Sequence, residues 1–105
     1  MSELAAALEQ AAVRVEESLR ELLRSQPEQS SARFATDVLL AAAAMTTAAH
    51  RLDRSAAEAR LSLHIVSTLA RDAAGAARAD GAEEIAADLE SVAWRCERVL
   101  APGTA

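Results

Sequence analysis

The chain has 105 residues, room for one domain and one core, with 51% hydrophobic residues and a formal net charge of −5. All eleven basic residues are arginines spread evenly along the chain; no basic stripe exists to release counterions from a phosphate backbone, which argues against nucleic-acid binding. A single cysteine, Cys96, excludes an internal disulfide and a cysteine-based metal cluster.

Alanine supplies 28 residues and leucine 13, whereas β-branched and aromatic residues are scarce. Alanine and leucine are the strongest helix formers, so the composition predicts helix almost throughout. In the first segment Leu4, Leu8, Ala11, Val15, Leu19 and Leu22 recur at three- to four-residue spacing, with Glu and Arg on the other side. That periodicity predicts an amphipathic helix over about 3–25, with Ser2 as N-cap. Pro27 marks the break and can open the next helix at its first position.

A second helix is expected over about 30–52, with Phe34, Val38, Ala41, Met45, Ala49 and Leu52 on its core face. Leu39 and Leu40 point elsewhere, and the Ala41–Ala44 run makes the middle apolar all round, the pattern of a helix covered on more than one side. The third helix, about 55–79, places Leu61, Ile65, Val66, Leu69 and Ala73 on one face, with Arg60, His64, Ser67 and Arg71 opposite. The fourth, about 82–100, carries Ile85, Leu89, Val92, Cys96, Val99 and Leu100. Asp80-Gly81-Ala82-Glu83 reads as a capping box for it, and Pro102-Gly103 ends it, leaving a tail over 101–105. All three glycines and both prolines are read as lying near helix ends.

Whether residues 30–79 form one helix or two is the open point of the fold. Ser55-Ala56-Ala57-Glu58 matches a capping box and supports a turn near Asp53. Against this, Leu52, Ala56, Ala59, Leu63, Val66, Ala70 and Ala73 continue a three-to-four pattern without interruption. An unbroken rod would be about 70 Å long and would have to dimerise as a long central helix in an antiparallel helical dimer. The preferred reading is a single all-α domain, an antiparallel up-down four-helix bundle, because the apolar arc shifts at Leu61 and short loops are common in bundles.

Two histidines, His50 and His64, occur. Neither has an acid at the Glu-x-x-His spacing of carboxylate di-metal bundles, so both read as solvated surface groups and no metal or other cofactor is expected. The sequence Ala48-Ala49-His50-Arg51-Leu52-Asp53-Arg54-Ser55-Ala56 resembles the phosphorylation segment of histidine phosphotransfer domains, in which a helix-borne histidine is followed by Leu, Lys, Gly and small residues. The resemblance covers about 55 residues, through Leu69–Ala74 and the 86–100 stretch. It implies a four-helix bundle, His50 as phosphoacceptor and a receiver domain as partner. Asp53 stands where that family has Lys, and Arg54 where it has Gly. An acid three residues from the histidine repels phosphate and the acidic pocket of a receiver.

Trp94 falls about 180° from the core stripe of the fourth segment, beside Arg98. An outward tryptophan marks a contact surface, or else lies flat on the bundle with Arg95 or Arg98 stacked on it. Val13, Leu39 and Leu40 also leave their core faces; with Leu63, Trp94 and Arg98 they are the candidate interface residues, segments two and four being the candidate surfaces. Carboxylates pair with arginine along their own helices, as in Glu16–Arg20, and no spaced Ser, Cys, His and acid assemble a nucleophile. About 25 large apolar residues make a thin core, which favours a homo-oligomer, most simply a dimer.

The functional expectation is therefore a non-enzymatic helical-bundle interaction module that self-associates, with a degenerate phosphotransfer protein using His50 as the alternative. A ligand carrier built around Met45 is a third reading. Neither nucleic acid nor membrane is expected as a partner: the longest apolar stretch, 38–49, is too short to span a bilayer. Glu3 and Glu9 stand where a signal peptide would be basic and then apolar, which leaves the cytoplasm as the default location. The absence of Lys and Asn beside so much Ala and Arg points to a GC-rich genome.

Overall fold

The computed structural model describes residues 2–25 and 32–101. Ser55 decides between the bundle and the long rod. Its backbone is extended (φ −158°, ψ 160°), and its side-chain oxygen accepts a hydrogen bond from the Glu58 backbone N–H at 3.1 Å. The helix before it therefore stops at Arg51, residues 52–54 turn, and a new helix starts at Ala56. Four helices result: α1 (Ser2–Ser25), α2 (Ala32–Arg51), α3 (Ala56–Ala79) and α4 (Glu83–Leu100), with no strand among the described residues. Pro27, Pro102 and Gly103 lie outside the described residues, as does the side chain of Ser2.

The junction between α3 and α4 is built differently from the capping box expected there. Asp80 does not cap α4; it is the C-cap residue of α3. Gly81 follows with φ +82°, its N–H donating to the Arg78 carbonyl at 3.0 Å, while the Ala82 N–H reaches back to the Ala77 carbonyl at 2.8 Å. This paired pattern is a Schellman motif, which requires a left-handed residue that glycine supplies without a Cβ penalty. The three residues that looked like the start of α4 thus end α3. Ala82 occupies the N-cap of α4 with no side-chain cap bond. Gly75, by contrast, lies within α3, four residues before its last residue.

Each helix packs on its neighbours in the chain, and α4 closes back on α1 through a much thinner seam. The body measures 45 × 23 × 18 Å. Leu8, Val15, Phe34, Val38, Met45, Leu63, Val66, Leu89 and Cys96 are fully enclosed. Twelve of the 26 buried hydrophobic residues are alanines, so the helices approach closely through small side chains and the core is slender.

The inward faces of α1 and α2 are those expected, but two corrections apply further along. On α3 the buried line is Ala59, Leu63, Val66, Ala70, Ala73 and Ala77, whereas Leu61 (61% exposed) and Ile65 (46%) look outward. The shift of arc at Leu61 was therefore no argument for a break; the buried line is the one continuous with Leu52, and only the Ser55 cap interrupts the helix. On α4, Val99 is outside the core and Leu100 inside it.

Candidate functional site

The polar contacts are organised by the α3–α4 seam. Glu97 accepts from the Ser67 hydroxyl at 3.1 Å and from Arg71 through Nε at 2.9 Å and Nη2 at 2.7 Å. Two turns further along, Arg78 forks onto both carboxylate oxygens of Glu90 and donates through Nε to Glu83 at 3.1 Å. These bonds hold the Glu90 and Glu97 carboxyls below the usual carboxylate range and raise the Arg71 and Arg78 guanidiniums. A carboxylate locked in this way is a poor proton donor at neutral pH, so the seam serves to fasten two helices.

Among the described residues, ion pairing along single helices is correspondingly rare. Glu21–Arg24 at 3.4 Å is such a pair, and Glu16–Arg20 does not form; the other contacts cross between helices, including Arg14–Asp88 and His50–Glu9, both at 3.9 Å. The last two fix the neighbours of α1, with α4 on one flank and α2 on the other.

The candidate interface residues do not converge on one surface. Trp94 is 54% exposed on the outer side of α4, and the Arg98 guanidinium lies 4.9 Å from its ring centroid, in cation–π range. Val13 points out from α1 and Leu39 from α2, on the side of α2 that carries His50 and meets Glu9. Leu40, about 100° further round, lies on the flank of α2 toward α3. Leu63 is only 2% exposed and belongs to the core, because the α3 inward line runs through it. It has no place in an outer contact surface.

The grouping that sequence reasoning missed lies across α2 and α3. On α3, Leu61, Ile65 and half-buried Leu69 follow at four-residue spacing, on the flank turned away from Ser67, Arg71 and Arg78. On α2, Leu40, half-buried Ala44 and Thr47 form the matching line. Between Asp37 and Arg51 on one helix, and between Glu58 and Asp72 on the other, these lines carry no charge. Each helix thus has a second stripe at three-to-four spacing beside its core stripe. Taking the largest side chains as the core hid the one on α3.

The other singled-out residues are placed as follows. His50 lies in the last turn of α2, 68% exposed at its side chain, with Asp53 in the turn beyond it; His64 is exposed on α3. Cys96 is enclosed, and burial pushes its thiol up to about 11. Met45 is fully buried, and a cleft of about 790 Å³ lies instead at one end of the bundle between the end of α1 and the start of α4, with Glu17, Arg20, Glu21 and Glu83 in its walls. Among the described residues no group of three or more His, Cys, Asp or Glu is placed to hold a metal ion, and no helix is long and apolar enough to cross a membrane. Comparison with models of protein families, with curated proteins and with solved structures finds no match to this chain.

Proposed function

We propose that this protein is a non-enzymatic helical module that works by self-association. The observation that supports this reading is the distribution of its large apolar residues. Val13, Leu23, Leu39, Leu40, Leu61, Ile65, Trp94 and Val99 are exposed, while nearly half of the buried hydrophobic positions hold alanine. Isolated exposed leucines are ordinary, but adjoining lines of them around an alanine core leave apolar surface that association would remove from water. Sedimentation at micromolar concentration tests the reading. A sample that stays monomeric up to hundreds of micromolar would overturn it.

Phosphotransfer through His50 is the alternative, favoured by the exposure of that imidazole on the second helix of a bundle. Electrostatics work against it. Glu9 lies 3.9 Å away, Asp53 follows in the turn, and the carbonyl end of α2 adds partial negative charge where a phosphoryl group would sit. Incubation with a phosphorylated receiver domain decides the matter: acid-labile phosphate on the wild type that is absent from His50→Ala would establish this reading in place of the first.

A further inference from the structure

We infer that the α2–α3 face is the surface through which two copies of this chain pair, antiparallel about a two-fold axis passing near Ala44 and Ile65; the inference rests on the self-association reading above. The case begins with spacing. The outer stripe of α2 runs Arg33, Asp37, Leu40, Ala44, Thr47, Arg51, and that of α3 runs Glu58, Leu61, Ile65, Leu69, Asp72. Both advance in steps of three or four residues, as do helices that bury a seam against another helix. Leu40 and Leu61 stand exposed on it, and Leu69 and Ala44 already lean on the core.

The occupant follows from the symmetry of these stripes. Asp37 precedes Ala44 by seven residues and Arg51 follows it by seven; Leu61 precedes Ile65 by four and Leu69 follows it by four. A two-fold axis across the helices at this level sets α2 against α2 and α3 against α3, running in opposite directions. Asp37 then faces Arg51 of the second copy twice over, Leu61 faces Leu69 of the second copy, and Ile65 meets itself. That is the self-complementarity an isologous contact demands. The small Ala44 at the centre lets the two α2 helices approach.

A parallel pairing, with the axis along the helices, sets α2 against α3; it brings Asp37 opposite Asp72 of the second copy at one end and Arg51 opposite Glu58 at the other, and it lays Ile65 on Ala44 and Leu61 on Thr47. Glu58 and Asp72 do flank Ile65 with the same sign in the antiparallel form. Each has an arginine toward its own end of the face, Arg54 four residues before Glu58, and Arg33 near the start of α2, the end toward which Asp72 lies on α3. Asp53 sits in the turn between Arg51 and Arg54. Opposite- and like-charged pairs are equal in number in the two arrangements; the antiparallel one is preferred because it sets Ile65 on Ile65 and Leu61 on Leu69, large apolar against large apolar, with the Asp37–Arg51 pairs fixing the register.

Sedimentation of full-length variants tests this, with circular dichroism to confirm that each remains helical. Ile65→Glu, which puts two acids against each other at the axis, is expected to weaken association by about 100-fold. Asp37→Arg and Arg51→Asp are each expected to weaken it by about 10-fold, and the double variant to recover it, since the pair is re-formed with its signs exchanged. Asp37→Arg that strengthens association, or a double variant that recovers nothing, overturns the antiparallel arrangement. Association indifferent to Ile65→Glu but abolished by Leu39→Glu or Trp94→Ala overturns this face and leaves self-association standing. A wild type that never associates removes both. Should Ile65→Glu disturb the helices, the charge exchanges at exposed Arg51 and half-buried Asp37 carry the test unaided.

Discussion

Burial raises the Cys96 thiol from its ordinary 9.0 to about 11, with the neighbouring Glu97 charge adding to the effect. The folded state therefore favours the neutral thiol. Its contribution is complete below the ordinary value and is lost as the pH climbs toward 11. Thiol reagents act on the thiolate, so Cys96 should stay unmodified in native protein at neutral pH and react rapidly once denaturant opens the bundle, as a timed thiol-titration assay would show. The Glu90 and Glu97 carboxyls behave in the opposite sense. Because their arginine partners lower them, they stabilise the fold above the usual carboxylate value of 4.5 and lose that effect as the pH falls below it. Both groups are open to solvent, so the expected effect is modest and weaker in salt. Urea unfolding at pH 7 and pH 3.5 should show a smaller pH-dependent loss for a Glu90→Gln/Glu97→Gln variant than for the wild type.

At the level of the helices, the two glycines with described structure make opposite predictions. Gly81 sits at φ +82°, so Gly81→Ala strains the turn between α3 and α4 and should cost about 1 kcal/mol. Gly75 is helical and exposed, and nothing lies within 4 Å of where a Cβ would stand. Gly75→Ala should stabilise α3 by roughly 0.5–1 kcal/mol. Ser55→Ala removes the bond to the Glu58 N–H and should cost about 1 kcal/mol, whereas Asp80 does not serve α4 as a cap. Thermal or urea melts followed by circular dichroism would rank the three. These positions also show what was readable in the chain. A capping box is a local signal and sufficed at Ser55, where nothing competes for the residues. At Asp80 the same pattern was misleading, because the preceding helix needed a left-handed glycine and took the three residues for its own end. The stripe of α3 was misread for a related reason: a helix with two apolar lines offers two candidate cores, and only neighbouring helices decide between Leu63 and its bulkier neighbour Leu61. Ion pairs such as Arg71–Glu97, separated by 26 positions, leave no trace in sequence spacing at all.

Taken whole, the molecule is fastened unevenly. The α3–α4 seam combines close packing with forked ion pairs, while α1 meets α4 through the thinnest contact, which includes the long Arg14–Asp88 approach. Local opening should start at that seam, so hydrogen exchange is expected to reach the amides of α1 well before the centre of α3. Pairing through α2 and α3 would protect the helices farthest from this weak edge and leave the edge as it is. Leu40, Leu61 and Ile65 stand outside the monomer's own core, with Ala44 and Leu69 at its margin. The four-helix architecture is legible from periodicity while the grouping of the outward faces is not, because periodicity fixes a face relative to its own helix and only the assembled bundle says which faces adjoin.

Trp94, half exposed beneath Arg98, is the sole tryptophan in a chain that contains no tyrosine. The protein's intrinsic fluorescence therefore comes from an indole already in contact with water, and its emission should scarcely move when the bundle unfolds or when two copies pair through α2 and α3. That indifference makes it a dedicated reporter: a blue shift on mixing with another molecule would signal that the outer side of α4 had become covered.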